Sequence, residues 1–238
     1  MPNAFRELLA AHALFFERPE RTPNLAATGR RLLLAFGAVG LVVHPALVAL
    51  FRVAGLGTQP WTRPVIVVAL LLLTLFLVLG VLRLDAAAVG LHGWQAWTRR
   101  ERLYAWTVLP LAAGLFGVMF RDHFTHLAEL HGWWRAIVLS LPTGLLWGAV
   151  QELIYRGLLQ TALTQRLGGV AGVLLANLVF TFGPLHANYY RVGADAGPSW
   201  GMFAAIFAIG LFFGILYHRS GNLWLPAVMH GLWPLNMT

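Results

Sequence analysis

The chain has 238 residues, of which 58% are hydrophobic and only 11% are charged. Soluble domains carry roughly 25% charged residues, so this composition excludes a soluble enzyme, a disordered chain and, despite a net charge of +8, a nucleic-acid binder. All 17 basic residues are arginine, and the lack of cysteine excludes disulfides, thiolate metal sites and a cysteine nucleophile.

Residues 1–30 precede the first long apolar run and mix apolar with charged side chains. Leucine and phenylalanine alternate there with charged residues before Pro19 and Pro23, which end any helix. This pattern predicts a cytoplasmic amphipathic arm that lies along the membrane interface.

Seven apolar segments follow the arm. A bilayer core of about 30 Å requires about 20 apolar residues in a helix. The candidate spans are 32–51, 64–82, 103–120, 136–163, 167–185, 200–217 and 223–235. The sequence therefore predicts an all-α, polytopic transmembrane helical bundle of about seven spans, with residues 31–135 as its amino-terminal helices. Within the connection 83–102, spaced apolar residues predict a surface helix.

The arginines indicate the orientation of the bundle in the lipid bilayer. With seven spans, eleven arginines fall on the side of the arm and five on the other side. Because positive charge stays on the cytoplasmic side, we expect the arm to be cytoplasmic and the carboxyl terminus to lie outside. We expect an integral, multi-pass protein of a bacterial inner (plasma) membrane.

Several polar residues interrupt the later apolar spans. Glu152 and Arg156 are four residues apart, the spacing of an ion pair on one helix face. His186 follows a Gly-Pro break, and His230 lies in the last span. Ionisable groups in hydrocarbon are costly and are retained chiefly where they are paired or functional. His44 stands next to Pro45, which favours a local hydrogen bond.

One carboxylate and two histidines in three of the last four spans admit two kinds of chemistry and one structural interpretation. The set can activate a water and stabilise an oxyanion, or it can hold a metal ion such as zinc. Alternatively, Glu152 and Arg156 only neutralise each other, and the histidines only bond between helices. The residues alone leave these alternatives open.

The order of the polar residues resembles a known family. Its patterns Glu-Glu-x-x-x-Arg, Phe-x-x-x-His and His-x-x-x-Asn resemble the segments Gln151-Glu152-x-x-x-Arg156, Phe182-x-x-x-His186 and the surroundings of His230. On these motifs the chain is similar to the CPBP intramembrane proteases, the family of the type II CAAX prenyl endopeptidases. The resemblance implies a catalytic helical core over residues 136–238.

The resemblance implies an intramembrane endopeptidase that cleaves a membrane-anchored protein or peptide. In this interpretation His186 and Glu152 activate water, and His230 supports the oxyanion or the water. Arg156 orients Glu152, while Gln151 donates a hydrogen bond. The cofactor is either none or a divalent metal such as zinc, which the same carboxylate and two histidines would bind.

Two positions depart from the family pattern. Gln151 replaces the first glutamate, to which the family mainly assigns the base, and an amide cannot take up a proton at neutral pH. Pro234 replaces the asparagine of the third motif, so only Asn236 can supply that amide, and only if the helix breaks. The alternative function is a non-catalytic member of the fold that acts as a membrane binding or immunity-type protein.

Straight helices over the apolar segments would separate the candidate residues. At 1.5 Å of rise per residue, Glu152 and His186 would differ in depth by on the order of 20 Å. A common site therefore requires the fourth helix to extend through Thr164 and the fifth to run to Tyr190, with a break at Gly183 that redirects His186.

Overall fold

The computed structural model describes residues 26–54, 62–119, 121–122, 125–126, 129, 133–190 and 197–232. Its regular structure is helical throughout these residues. Seven helices of the bundle have described bounds: α1 over 26–53, α2 over 62–81, α3 over Arg99–Met119, α4 over 133–167, α5 over Gly169–Phe182, α6 over Trp200–Ser220 and α7 over Trp224–Gly231. The predicted all-α bundle is confirmed. The arm prediction falls mainly on residues 1–25, which lie outside the described residues.

Four helical segments are long and apolar enough to cross a membrane, judged by length and composition within the described residues. They are Gly29–Leu47, Pro64–Val81, Gly169–Ala187 and Trp200–Ser220. The helices α3 and α4 carry charged residues, as in the buried Glu152-Arg156 segment, and α7 has only eight residues. The chain is therefore an integral membrane protein.

Three of the helices contain π-helical turns. These turns are Gly37–Val43 in α1, Phe76–Val81 in α2 and Leu153–Gln160 in α4. π turns are rare in helices and occur frequently at functional sites. In α4 the π turn begins directly after Glu152 and contains Arg156, so it changes the direction of the side chains that follow the carboxylate.

The centre of the bundle is the middle of α4. Every side chain from residue 151 to residue 160 is buried. The helix α1 packs along one face of this stretch, where Phe36 meets Tyr155 edge-on at 5.7 Å between ring centroids. Gly40 lets α1 approach closely, because a Cβ atom there would lie 3.1 Å from Cγ2 of Ile154.

The connection between α2 and α3 differs from the predicted surface helix. Residues 83–98 form two 3-10 turns, Ala86–Val89 and Trp94–Ala96, because Gly90 takes a φ of +80° and ends the first turn. We call residues 83–98 the strap. It packs beneath the bundle: Leu223 donates to the carbonyl of Gly90, and the His92 ring bonds the carbonyl of Gly221.

Candidate active site

The helices α4 and α7 touch through their backbones, because glycines lie on both surfaces. A Cβ atom on Gly148 would lie 2.5 Å from backbone atoms of α7, and one on Gly231 would lie 2.5 Å from the Cα of Leu145. Gly148 and Glu152 are one helical turn apart, so the carboxylate of Glu152 also faces α7. This contact places the imidazole of His230 next to Glu152.

The carboxylate of Glu152 is shared between two partners. Its Oε1 atom is 2.7 Å from Nδ1 of His230. Its Oε2 atom is 3.2 Å from Nε of Arg156, an ion-pair distance, although neither of these two atoms has a well-aligned hydrogen bond within the described structure. Both side chains of the ion pair are fully buried. The two oxygens of Glu152 are thus directed to different groups.

Arg156 is held by three neighbours at once. Besides facing Glu152, its Nη2 atom donates to the carbonyl of Gly210 at 2.9 Å, and its guanidinium carbon lies 4.7 Å from the ring centroid of Phe180. A cation over an aromatic face is stabilised by the ring quadrupole. The guanidinium therefore has little freedom to leave the carboxylate.

Two amide side chains attach α6 to α4 and α5 beside Arg156. Gln160 donates to the carbonyl of Gly214 at 2.8 Å, and Asn177 donates to the carbonyl of Phe207 at 2.9 Å. Together with the Arg156 bond, these contacts follow one face of α6. Polar side chains that bond between helices in this way stabilise membrane bundles.

His186 reaches the site because α5 ends early. The helix stops at Gly183, and the chain continues as the 3-10 turn Pro184–Tyr190, in which His186 has φ −109° and ψ 21°. This turn brings Nδ1 of His186 to 2.8 Å from the carbonyl of Phe180, six residues earlier in the chain. The fourth helix extends as a common site requires, since α4 continues to Leu167, whereas the fifth ends at Phe182 and the chain reaches Tyr190 as a 3-10 turn.

The other predicted site residues lie in different places. Gln151 is buried, and its Oε1 atom has no hydrogen-bond partner within the described part of the chain. Phe182 is 40% exposed and packs on Phe203 at 5.2 Å between centroids, away from the contacts of Arg156. Pro234 and Asn236 lie outside the described residues.

Sequence reasoning missed the aromatic centre of the site. The ring of Phe180 lies 4.9 Å from the ring of His186 and 5.9 Å from that of His230, nearly perpendicular to both. A signal was available, because Phe180 follows the intramembrane polar residue Asn177 by three positions and therefore shares its helix face. The motif spacing instead directed attention to Phe182.

The donors at the site can be compared with those of a metal centre. Zinc sites use three or four protein ligands, but among the described residues no group of three or more His, Asp or Glu side chains is placed to hold a metal ion. The bonds that Nδ1 of His230 and Nδ1 of His186 make with Glu152 and a backbone carbonyl are of the kind that orients an imidazole, so they do not argue against a metal on Nε2. The oxygens of Glu152, however, face His230 and Arg156, so the three predicted ligands do not form one ligand set.

Residues 132–235 match the protein-family model described as Rce1-like, type II CAAX prenyl endopeptidase Rce1-like. This segment, called the Rce1-like segment below, is similar to that family. The match confirms the resemblance to the CPBP intramembrane proteases and extends from the start of α4 to beyond the end of α7. No curated protein and no solved structure matches the chain.

The Rce1-like segment contains all the contacting groups described above. Glu152, Arg156, Phe180, His186 and His230 belong to it, and so do the glycines at the α4–α7 contact. The family supports the fold of a CAAX-type intramembrane protease and an endopeptidase kind of activity in general.

Proposed function

We propose that the chain is an intramembrane endopeptidase, which hydrolyses a peptide bond of a membrane-anchored protein or peptide. One observation carries the proposal: the buried bond of 2.7 Å between Oε1 of Glu152 and Nδ1 of His230 in a bundle of apolar helices. A carboxylate behind an imidazole fixes its tautomer and stabilises the imidazolium that forms during proton transfer.

The acceptors determine which ring nitrogens carry protons. A carboxylate and a backbone carbonyl only accept hydrogen bonds, so Nδ1 of His230 donates to Glu152 and Nδ1 of His186 donates to Phe180. Each neutral imidazole then keeps a lone pair on Nε2. Two such lone pairs can accept the two hydrogens of one water and leave its oxygen available for attack.

Hydrolysis follows from this arrangement in two proton transfers. His230 takes a proton from the water as the water oxygen bonds to the carbonyl carbon of the substrate. The imidazolium then gives this proton to the amide nitrogen as the carbon–nitrogen bond breaks, which yields a carboxylic acid and an amine. His186 holds the water, and Glu152 stabilises the imidazolium.

Arg156 keeps the charge of this site in balance. Its guanidinium compensates the carboxylate before the reaction, and a buried carboxylate without such a partner would be costly. Because the ion pair uses Oε2, Oε1 remains directed to His230. Within the described part of the chain, Oε1 of Gln151 has no hydrogen-bond partner, and Gln151 takes no part in the proton transfers proposed here.

Purified protein in vesicles, presented with membrane-anchored peptides, tests the proposal. Loss of an acid–base group typically costs 10²- to 10⁴-fold in rate, so we expect losses of about that size for Glu152→Gln, His186→Gln and His230→Gln. The exposed His126 supplies a matched control, His126→Gln, which should cleave like wild type. Wild-type rates at the uncatalysed level would disprove the proposal.

A second candidate function rests on Gln151. Where the family pattern has a glutamate, this chain has an amide that cannot act as a base. A non-catalytic member of the fold, acting as a membrane binding or immunity-type protein, would keep Glu152 and Arg156 only as a structural pair. In that case the wild type would not cleave any peptide, and Glu152→Gln would lower only the thermal stability.

A further inference from the structure

Phe180 is the residue on which the separate parts of the site meet. Its ring lies under the guanidinium of Arg156 at 4.7 Å and edge-on to both imidazoles, and it also meets Tyr155 at 5.2 Å. The side chain is only 3% exposed. One ring therefore limits the positions of one cation and of both site imidazoles.

The backbone of Phe180 adds a further constraint. Its carbonyl accepts the 2.8 Å bond from Nδ1 of His186, and this bond fixes the ring orientation and tautomer of that histidine. Because α5 ends at Gly183, the chain can turn back and present His186 to this carbonyl. The same residue thus contacts His186 through both its backbone and its side chain.

The helix α6 leaves room for the ring of Phe180. A Cβ atom on Gly210 would lie 3.0 Å from Cδ1 of Phe180, which is tighter than ordinary van der Waals contact. The carbonyl of Gly210 also accepts the bond from Arg156. The close approach of α6 therefore confines the ring and the guanidinium from the same side.

Phe182 is a natural comparison, since it lies only two residues away on the same helix. It packs on Phe203, and its carbonyl accepts a bond from the hydroxyl of Tyr190 at 2.8 Å. It is 40% exposed, whereas Phe180 is buried. Phe180 contacts both imidazoles, whereas Phe213 meets that of His230 at 5.4 Å and Tyr189 meets that of His186 at 6.0 Å between ring centroids.

We propose that Phe180 is a positioning residue for the reaction, a role that rests on the proposed function. The flat ring separates the two imidazoles from Arg156 and sets where their Nε2 atoms can point. A flexible aliphatic side chain of similar size would fill the space without fixing any ring.

The first test compares the same substitution at the two phenylalanines. Misplacing reacting groups by about 1 Å can cost on the order of 10²-fold, so Phe180→Leu should lower kcat by about 10- to 100-fold. KM should stay within about twofold, because Phe180 holds catalytic groups and does not bind the substrate. Phe182→Leu should lower kcat much less. Equal effects at both positions would overturn the proposal.

The second test does not depend on cleavage and therefore separates this proposal from the proposed function. Diethyl pyrocarbonate modifies accessible imidazoles, and mass spectrometry measures the rate at each histidine. In Phe180→Leu, we expect His186 and His230 to react several-fold faster than in the wild type, whereas Phe182→Leu should leave His230 unchanged. His92, buried in the strap, reports general unfolding and should react at the wild-type rate in every variant.

The two readouts together decide between the possibilities. Faster modification of both site histidines with unchanged His92 supports the position of Phe180 even if the wild type does not cleave peptides, and only the proposed function then fails. Unchanged modification rates at His186 and His230 in Phe180→Leu overturn the proposal. A faster reaction at His92 as well would show that the ring only stabilises the fold, which also contradicts a positioning role.

Discussion

The two oxygens of Glu152 perform different tasks. Oε2 faces the guanidinium of Arg156, and Oε1 accepts the bond from His230. In a fully buried site, removing one member of such a set leaves the others with uncompensated charge, which is more damaging than removing all of them. Substitutions at this site should therefore affect stability and activity in separable ways.

Arg156 is the first residue to test in this way. Arg156→Met leaves the buried Glu152 without its cation, and breaking a buried pair typically costs about 3–5 kcal/mol. We expect a clear loss of thermal stability together with loss of cleavage. Arg156→Lys keeps the charge but loses the planar contacts with Phe180 and Gly210, so it should be intermediate in a thermal unfolding assay. A Met variant as stable as the wild type would contradict the buried ion pair.

Restoring the family residue at position 151 should have little effect. A carboxylate introduced by Gln151→Glu would replace a buried amide whose oxygen has no hydrogen-bond partner among the described residues, so its charged form would be disfavoured. We expect the cleavage rate to change only modestly. The measurement is the peptide-cleavage rate beside that of the wild type. Proteolysis gained from an inactive wild type would instead identify an enzyme that has lost its activity.

Single residues differ in how well the sequence predicts them. The spacing of Glu152 and Arg156 predicts their contact, since residues four apart on a helix are neighbours. Asn177 marks the helix face of Phe180, but the contacts of the Phe180 ring depend on where α5 ends and how α6 approaches, which no motif contains. The contact of His230 with Glu152 required the α4–α7 packing, which no local pattern contains.

At the level of helices, hydropathy predicted where each element lies but not its internal geometry. Apolar runs locate all seven helices because hydrocarbon requires about 20 residues per crossing. The π turns left no comparable signal, although they determine which side chains share a face. In the strap, the apolar spacing predicted a helix that the structure does not contain. Gly90 and the bonds to the α6–α7 turn favour two short 3-10 turns instead.

The α4–α7 contact gives a prediction about glycine. A Cβ atom in Gly148→Ala would meet backbone atoms of α7 that cannot rotate away, so the helices must separate and lengthen the distance between Glu152 and His230. We expect a lower melting temperature and a cleavage rate lower by on the order of 10²-fold. Gly201→Ala on α6 is the matched control, because its Cβ atom meets nothing within 4 Å. Equal behaviour of the two variants would contradict the close packing.

Two glycines with positive φ allow the cost of backbone strain to be compared with the added cost of a steric clash. Gly168 has φ +82° and open space around it, so Gly168→Ala should lower stability only by the backbone cost, about 1–3 kcal/mol. Gly90→Ala adds a Cβ atom 2.6 Å from the ring of Tyr217 and should be more destabilising. Thermal unfolding of both variants measures the difference. Similar losses would mean that the strap is not docked against α6.

Across the whole molecule, many of the arginines lie at one end of the helical bundle. Gly29 lies against Gln165, Gly169 lies against His218, and the strap bonds the α6–α7 turn. The start of α1, the α4–α5 turn and the strap therefore share an end of the bundle. The arginines in or next to these segments are Arg30, Arg31, Arg83, Arg166, Arg99, Arg100 and Arg102 at the start of α3, and Arg219 at the end of α6.

This arrangement makes the orientation testable. By the positive-inside rule, the arginine-rich end should face the cytoplasm, with the amino terminus inside and the carboxyl terminus outside. A carboxyl-terminal alkaline phosphatase fusion should be active, and a fusion within the strap should be inactive. An inactive carboxyl-terminal fusion together with an active cytoplasmic reporter there would require an even number of crossings.

Because α1 and the strap pack against α4, the Rce1-like segment alone does not contain all the contacts that surround the site. A polypeptide that starts at residue 132 retains every donor and acceptor at the site, yet it lacks Phe36 and Gly40 against the π turn and Val89 beside Gly157. Lipid can fill the uncovered surface but cannot reproduce these shaped contacts. The region that carries the family resemblance is therefore smaller than the unit that must be expressed together to keep the site in this environment.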